Sequence, residues 1–138
     1  MRHTNVKNAL LGLALALVAA YTFPAALLTL MMGPRALRIL FSPVPVVGLL
    51  YGSWILIPLG AALGMLIPRI AAGKSRWKAA LHGAGYGAVG GLAAMICFAS
   101  VYDLRPGLDL LVVSAAAYSA VWVGAYAYVR AKPPVPHR

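Results

Sequence analysis

Four long apolar stretches, residues 9–32, 46–67, 79–101 and 110–129, dominate this chain, and none of them contains an Asp, Glu, Lys or Arg. A helix rising ~1.5 Å per residue needs about 20 such residues to cross ~30 Å of hydrocarbon, and lipid offers the backbone no other hydrogen-bond partner. The expected fold is therefore an all-α membrane protein: a four-transmembrane-helix bundle formed by one integral-membrane domain over 1–138, with a short basic tail over 130–138. Composition points the same way, because 62% hydrophobic and 10% charged residues leave too little polar surface to cover a water-soluble domain of 138 residues.

The charged residues sit in the gaps between the apolar runs. A net charge of +10 in a soluble chain would suggest nucleic acid. Here the cations flank membrane-length segments, which suits anionic lipid headgroups and argues against a nucleic-acid partner. Counted by side, Arg2, Lys7, Arg69, Lys74, Arg76, Lys78, Arg130, Lys132 and Arg138 fall on the side shared by the termini, and Arg35, Arg38 and Arg105 on the other. The positive-inside rule then places both termini and the 68–78 loop in the cytoplasm (N-in/C-in), as in a bacterial inner (plasma) membrane. Within that loop Arg69, Lys74, Arg76 and Lys78 are the candidate headgroup-binding residues. Trp77, Tyr102, Tyr126 and Tyr128 lie near span ends, where amphipathic rings favour the interface.

Arg2 and Lys7 before an apolar run, with Val18, Ala19 and Ala20 resembling a small-residue cleavage site, also suit a secretory signal. The run continues to Met32, so retention as the first span is expected.

Small residues recur every fourth position. Gly83, Gly87 and Gly91 form a glycine zipper in the third span, and Ala116, Ala120 and Gly124 repeat the spacing in the fourth. The second carries Gly48 and Gly52, then Gly60 and Gly64, and the first carries Gly12, Ala16 and Ala20. Residues four apart share a helix face, and in lipid close packing at small residues takes the place of hydrophobic drive between helices. These positions are the candidate helix-packing interface, toward other spans of the chain, a second copy, or another membrane subunit.

Prolines mark the remaining irregularities. Pro24 and Pro58 lie inside spans, where each removes a backbone donor; the common outcome is a static kink, the alternative a hinge as in a transporter, and Thr22 is placed to satisfy a carbonyl freed near Pro24. Over 33–45, Pro34 can open a short helix with Arg35 and Arg38 on one face and Leu37, Leu40 and Phe41 on another, ended by Pro43 and Pro45; an irregular apolar connector is the alternative. Pro133, Pro134 and Pro136 suit an extended tail.

Catalytic and cofactor motifs are weak. Residues 85–90 spell G-x-G-x-x-G, but that fingerprint needs a preceding strand and a turn open to a pyrophosphate, and here it sits inside an apolar span. His82 stands alone at the edge of the third span, with His3 and His137 in the tails, so a hydrogen-bonded interfacial histidine is expected rather than a metal or haem ligand. Asp109 resembles an N-cap of the fourth helix, and Asp103 and Arg105 an outer-loop pair. Ser53, Ser100, Ser114 and Ser119 have no evident base, and Cys97 has no second cysteine. Coupled carriers of the small multidrug-resistance kind rely on an intramembrane Glu, and the cysteine patterns of tetraspanins and claudins are absent from this sequence. An enzyme is not expected, nor a cofactor or a metal. Three readings survive: a non-catalytic accessory or assembly subunit of a larger membrane complex, a homo-oligomeric pore, holin-like protein or passive channel or transporter, and a membrane-embedded immunity or protective protein that binds a membrane-active partner.

Overall fold

The computed structural model of the chain describes residues 2–104 and 108–131. Its elements are α1 (Arg2–Met32), the 3₁₀ helix η1 (Pro34–Phe41), α2 (Val44–Ala71), α3 (Arg76–Tyr102) and α4 (Leu108–Arg130). No strand occurs among the described residues, and all four α-helices are long and apolar enough to cross a membrane.

Each helix outruns the apolar stretch that announced it, because the flanking basic residues continue it. Arg2 and Lys7 belong to α1, Arg69 to α2, and Arg76 and Lys78 to α3. The 68–78 loop thus contracts to residues 72–75, and Pro68 is a helix residue. Gly73 makes the turn at φ 74°, a left-handed conformation that costs glycine little. Ser75 then caps α3 by accepting from the Lys78 amide at 3.4 Å. At the far end of α3, Asp103 adopts the left-handed conformation and the Leu104 amide donates back to the Ala99 carbonyl at 3.0 Å.

Two expectations at helix starts need correction. α4 begins at Leu108, so Asp109 lies in its first turn rather than at the cap, where its carboxylate still complements the helix dipole. Arg105 and the tail from Lys132 onward lie outside the described residues. The 33–45 segment is helical, but with three residues per turn Phe41 lines up behind Arg35 and Arg38 instead of joining Leu37 and Leu40. Phe41 is accordingly 94% exposed, and the Tyr21 hydroxyl pins η1 to α1 by donating to the Leu40 carbonyl. Pro43 sits at the N-cap of α2 and Pro45 in its first turn.

The helices run antiparallel in two tight hairpins. In α1 and α2, Gly12 faces Gly60 and Gly64, and a Cβ built on Gly12 would overlap the Gly60 carbonyl and the Gly64 Cα. In α3 and α4, a Cβ on Gly83 would sit 2.5 Å from Ala127 Cβ, one on Gly87 2.5 Å from the Ser119 carbonyl oxygen, and one on Gly91 2.7 Å from the Ala115 carbonyl oxygen. The hairpins meet mainly through α2 and α3, where Leu59 and Leu63 reach Gly90, and the Tyr102 hydroxyl donates to the Tyr51 carbonyl at 2.8 Å. α1 and α3 do not adjoin.

Side-chain size is inverted relative to a water-soluble core. Apart from Ile67 and Val123, the buried hydrophobic residues are alanines, whereas Leu30, Leu50, Leu81, Val121 and Val129 are all exposed. That arrangement suits lipid, which solvates large apolar side chains and rewards close backbone approach.

Overpacking such a seam is costly, typically about 1–3 kcal/mol where extra methylenes are forced in, and more where the obstacle is backbone. Gly64→Leu is therefore expected to destroy or severely destabilise the α1–α2 hairpin, while Val121→Leu on the exposed face of α4 leaves thermal unfolding in mild detergent unchanged. Equal melting of both variants would contradict the seam.

Candidate functional site

Three features of the bundle bear on function: the small-residue seams, the cationic end, and a cavity between the hairpins.

The predicted small residues divide into three groups. Gly60 and Gly64 meet α1, Gly83, Gly87 and Gly91 meet α4, and Gly124 lies 3.2 Å, measured from an added Cβ, from the Ala80 carbonyl oxygen. Ala116 and Ala120 are half-buried; the α4 face that touches the α3 zipper runs instead through Ala115, Ser119, Val123 and Ala127. Gly52 is buried near Phe98, and Gly48 is exposed with open space around it. Gly85 shares that openness, on the face of α3 away from α4. The G-x-G-x-x-G run containing it lies wholly within the continuous helix α3.

Antiparallel packing gathers cations at one end of the bundle. Arg2, Lys7, Arg69, Lys74, Arg76, Lys78 and Arg130 all lie there, and both described carboxylates, Asp103 and Asp109, lie at the other. Arg69, Arg76 and Lys78 are exposed and Lys74 half-buried. Arg76 and Lys78 open α3, where a cation works against the helix dipole, so helix energetics do not account for them. The Arg76 guanidinium lies 5.6 Å from the centre of the Tyr128 ring, and Trp77 meets that ring edge-on at 5.7 Å. His82 places Nδ1 2.7 Å from the Lys78 carbonyl one turn back, as an exposed hydrogen-bonded side chain.

Polar ties join α1 to α4 at two levels. Arg130 donates to the buried Asn8 side-chain oxygen at 2.7 Å. Higher up, Thr22 donates to the Val18 carbonyl at 2.9 Å, which leaves Tyr118 to donate its hydroxyl proton to the Thr22 oxygen. Thr22 thus serves the Val18 and Ala19 carbonyls and Tyr118, not the Ala20 carbonyl four residues before Pro24. Phe23 packs against the Tyr118 ring at 5.6 Å between centroids.

Between these ties and the two hairpins lies a cavity of about 340 Å³. Its walls come from all four helices and are almost entirely apolar; Leu15 and Phe23 of α1, Leu56 of α2, Met95 and Phe98 of α3 and Trp122 of α4 are representative. No sequence pattern announces it, because it arises where small residues of four different helices face one another across the axis. Tyr126 lines one end, and its hydroxyl is buried without a hydrogen-bond partner among the described residues.

An unsatisfied buried hydroxyl costs about 1–3 kcal/mol, whereas losing a made hydrogen bond costs about 0.5–1.5 kcal/mol. Tyr126→Phe is expected to hold or raise thermal stability, and Tyr118→Phe to lower it; the opposite order in a melting experiment would contradict the assignment of these two hydroxyls. Comparison with protein-family models, with curated proteins and with solved structures finds no match to this chain.

Proposed function

We propose that this chain is a non-catalytic integral-membrane component that works through its helix surfaces, as an accessory or assembly subunit of a larger membrane complex. Gly85 carries the reading. Glycine inside a helix costs about 0.8–1.0 kcal/mol relative to alanine. Gly12, Gly60, Gly64, Gly83, Gly87 and Gly91 repay that cost by letting two backbones meet within the chain, but a Cβ added at Gly85 would meet nothing from the rest of the chain within 4 Å. Exposed Leu81, Tyr86, Val89 and Leu92 surround it on α3 and make a shallow notch between larger apolar side chains. A helix of another subunit seated in that notch supplies the close contact the chain itself does not.

Support for a homo-oligomeric pore is weaker. The features that suit a pore are the glycine zipper and the prolines inside spans; the zipper glycines face α4 of the same chain, and Pro24 and Pro58 lie within continuous helices. A membrane-embedded immunity protein would use the same outward surface, and no separate observation favours it.

In this reading the chain sits in a bacterial inner membrane with both termini cytoplasmic, and Arg69, Lys74, Arg76 and Lys78 hold anionic headgroups at about 1 kcal/mol per cation near a charged leaflet. The clustering of the described cations at the end shared by Arg2 and Arg130 supports that orientation.

Gly85→Leu and Gly87→Leu separate assembly from folding. With Gly85→Leu, the chain should melt at or above the parent, recovering part of the about 0.8–1.0 kcal/mol that glycine costs inside a helix, yet lose co-purifying subunits in native mass measurement. Gly87→Leu should destabilise the chain itself. An unchanged complex mass for Gly85→Leu would remove the support for a partner at this notch. A tag on either terminus should react only after the membrane is opened, and labelling in intact cells would reverse the orientation.

A further inference from the structure

The cavity is a slot rather than a chamber. On α2 its lining extends from Gly48 to Gly64 and on α4 from Leu111 to Tyr126, so at ~1.5 Å per residue it runs roughly 24 Å along the bundle. A volume of about 340 Å³ is near the lower limit of the ~300–1,000 Å³ typical of small-molecule sites, here drawn out along one direction.

Its two ends differ. Toward the cationic end Ile67, fully buried, packs with Val123 and Ala127 one turn past Leu63 and Gly64, and the Arg130 to Asn8 hydrogen bond ties the helices beyond it. Toward the opposite end the lining residues are themselves exposed: Gly48 has open space around it and Leu104 is 37% exposed. The slot is therefore closed near the cations and open at the end that carries Arg35, Arg38, Asp103 and Asp109.

From this shape we infer that the slot holds one acyl chain of a membrane phospholipid, methyl end toward Ile67 and headgroup at the open end. The lining is ill suited to ions and strongly polar solutes, since beyond the hydroxyls of Tyr118, Ser119 and Tyr126 and the Trp122 indole it is apolar. An elongated apolar slot inside a bilayer is bathed in acyl chains, and its length exceeds half of the ~30 Å hydrocarbon thickness, so a chain within it lies extended past the midplane. Arg35, Arg38 and Asp109 lie at the same end of the bundle as the opening, the level at which a headgroup carrying a phosphate and an ammonium would sit. Small residues make the slot: Ala19 and Ala94 line it from α1 and α3, two helices that do not adjoin.

The test reconstitutes the full chain in phosphatidylethanolamine/phosphatidylglycerol vesicles, extracts it into a maltoside detergent and counts retained phospholipid by native mass spectrometry. One phospholipid per chain is expected for the parent and for Val121→Phe, which adds bulk on the exposed face. Ala19→Phe and Ala94→Phe fill the slot and should retain at least tenfold less, with melting temperatures equal to or above the parent's. No retained phospholipid in the parent, or equal retention in the filled variants, would overturn the inference.

If the filled variants fail to fold, Trp122 provides a second reading. In a chain carrying Trp54→Phe and Trp77→Phe, its fluorescence should be quenched saturably, at one lipid per chain, by phosphatidylcholine brominated at the chain terminus. Quenching that rises without saturation, or the same quenching with bromines placed beside the headgroup, would overturn it too.

Discussion

Backbone-to-backbone contact at glycine is the constraint from which the rest of this structure follows. Where apolar surface gains little by leaving its surroundings, two helices adhere only as well as their surfaces mesh, and the closest meshing puts one backbone against another. Gly12 against Gly60 and Gly64, and Gly83, Gly87 and Gly91 against the backbone of α4, are contacts that no larger residue permits. The consequence is the inverted distribution of size, with alanine inside and leucine, valine and phenylalanine outside. A chain built for water would place Leu50 or Leu81 at its centre; here they face outward because the seams leave no room for them.

That constraint also explains what the sequence made legible. Helix length and apolarity are local properties, so four long apolar helices and their order could be read directly, whereas four-residue spacing marks Gly48, which has open space around it, as readily as Gly64, which lies against α1. What could not be read was anything set by the rotation of one helix against another. In α4 the contacting face runs through Ala115, Ser119, Val123 and Ala127, one position from the Ala116, Ala120 and Gly124 stripe; both stripes are small enough, and only packing chooses between them. Phe41 changed faces because the segment adopts three residues per turn. The helix ends were misplaced for a physical reason as well: Arg69, Arg76 and Lys78 are poor transmembrane residues but good helix formers, and a helix can continue past the hydrocarbon into the headgroup region. The central cavity had no signature at all, since no single helix contains it.

Tight seams within each hairpin and looser contact between hairpins divide the molecule into two levels of cohesion. Of the least exposed residues, Ile67, Ala71, Ala79, Ala127 and Ala131 form a layer near the cationic end that draws α2, α3 and α4 together, with Arg130 adding α1 by way of Asn8, while Ala25 and Pro45 are buried toward the other end. Away from that layer the hairpins are held by a few side-chain hydrogen bonds and ring contacts: Tyr118 to Thr22, Tyr102 to Tyr51, Phe23 to Tyr118. A low-polarity setting strengthens each of these bonds, because neither donor nor acceptor has water to turn to.

Such a gradient of cohesion also decides where space is left. In the seams a glycine backbone lies so close to the opposite helix that an added Cβ would overlap it. Between the hairpins Leu59 and Leu63 stand at ordinary van der Waals distance from the Gly90 position. The cavity lies along that looser line and takes its walls from all four helices. Its volume is the space left when helices that pack closely in pairs are brought together four at a time.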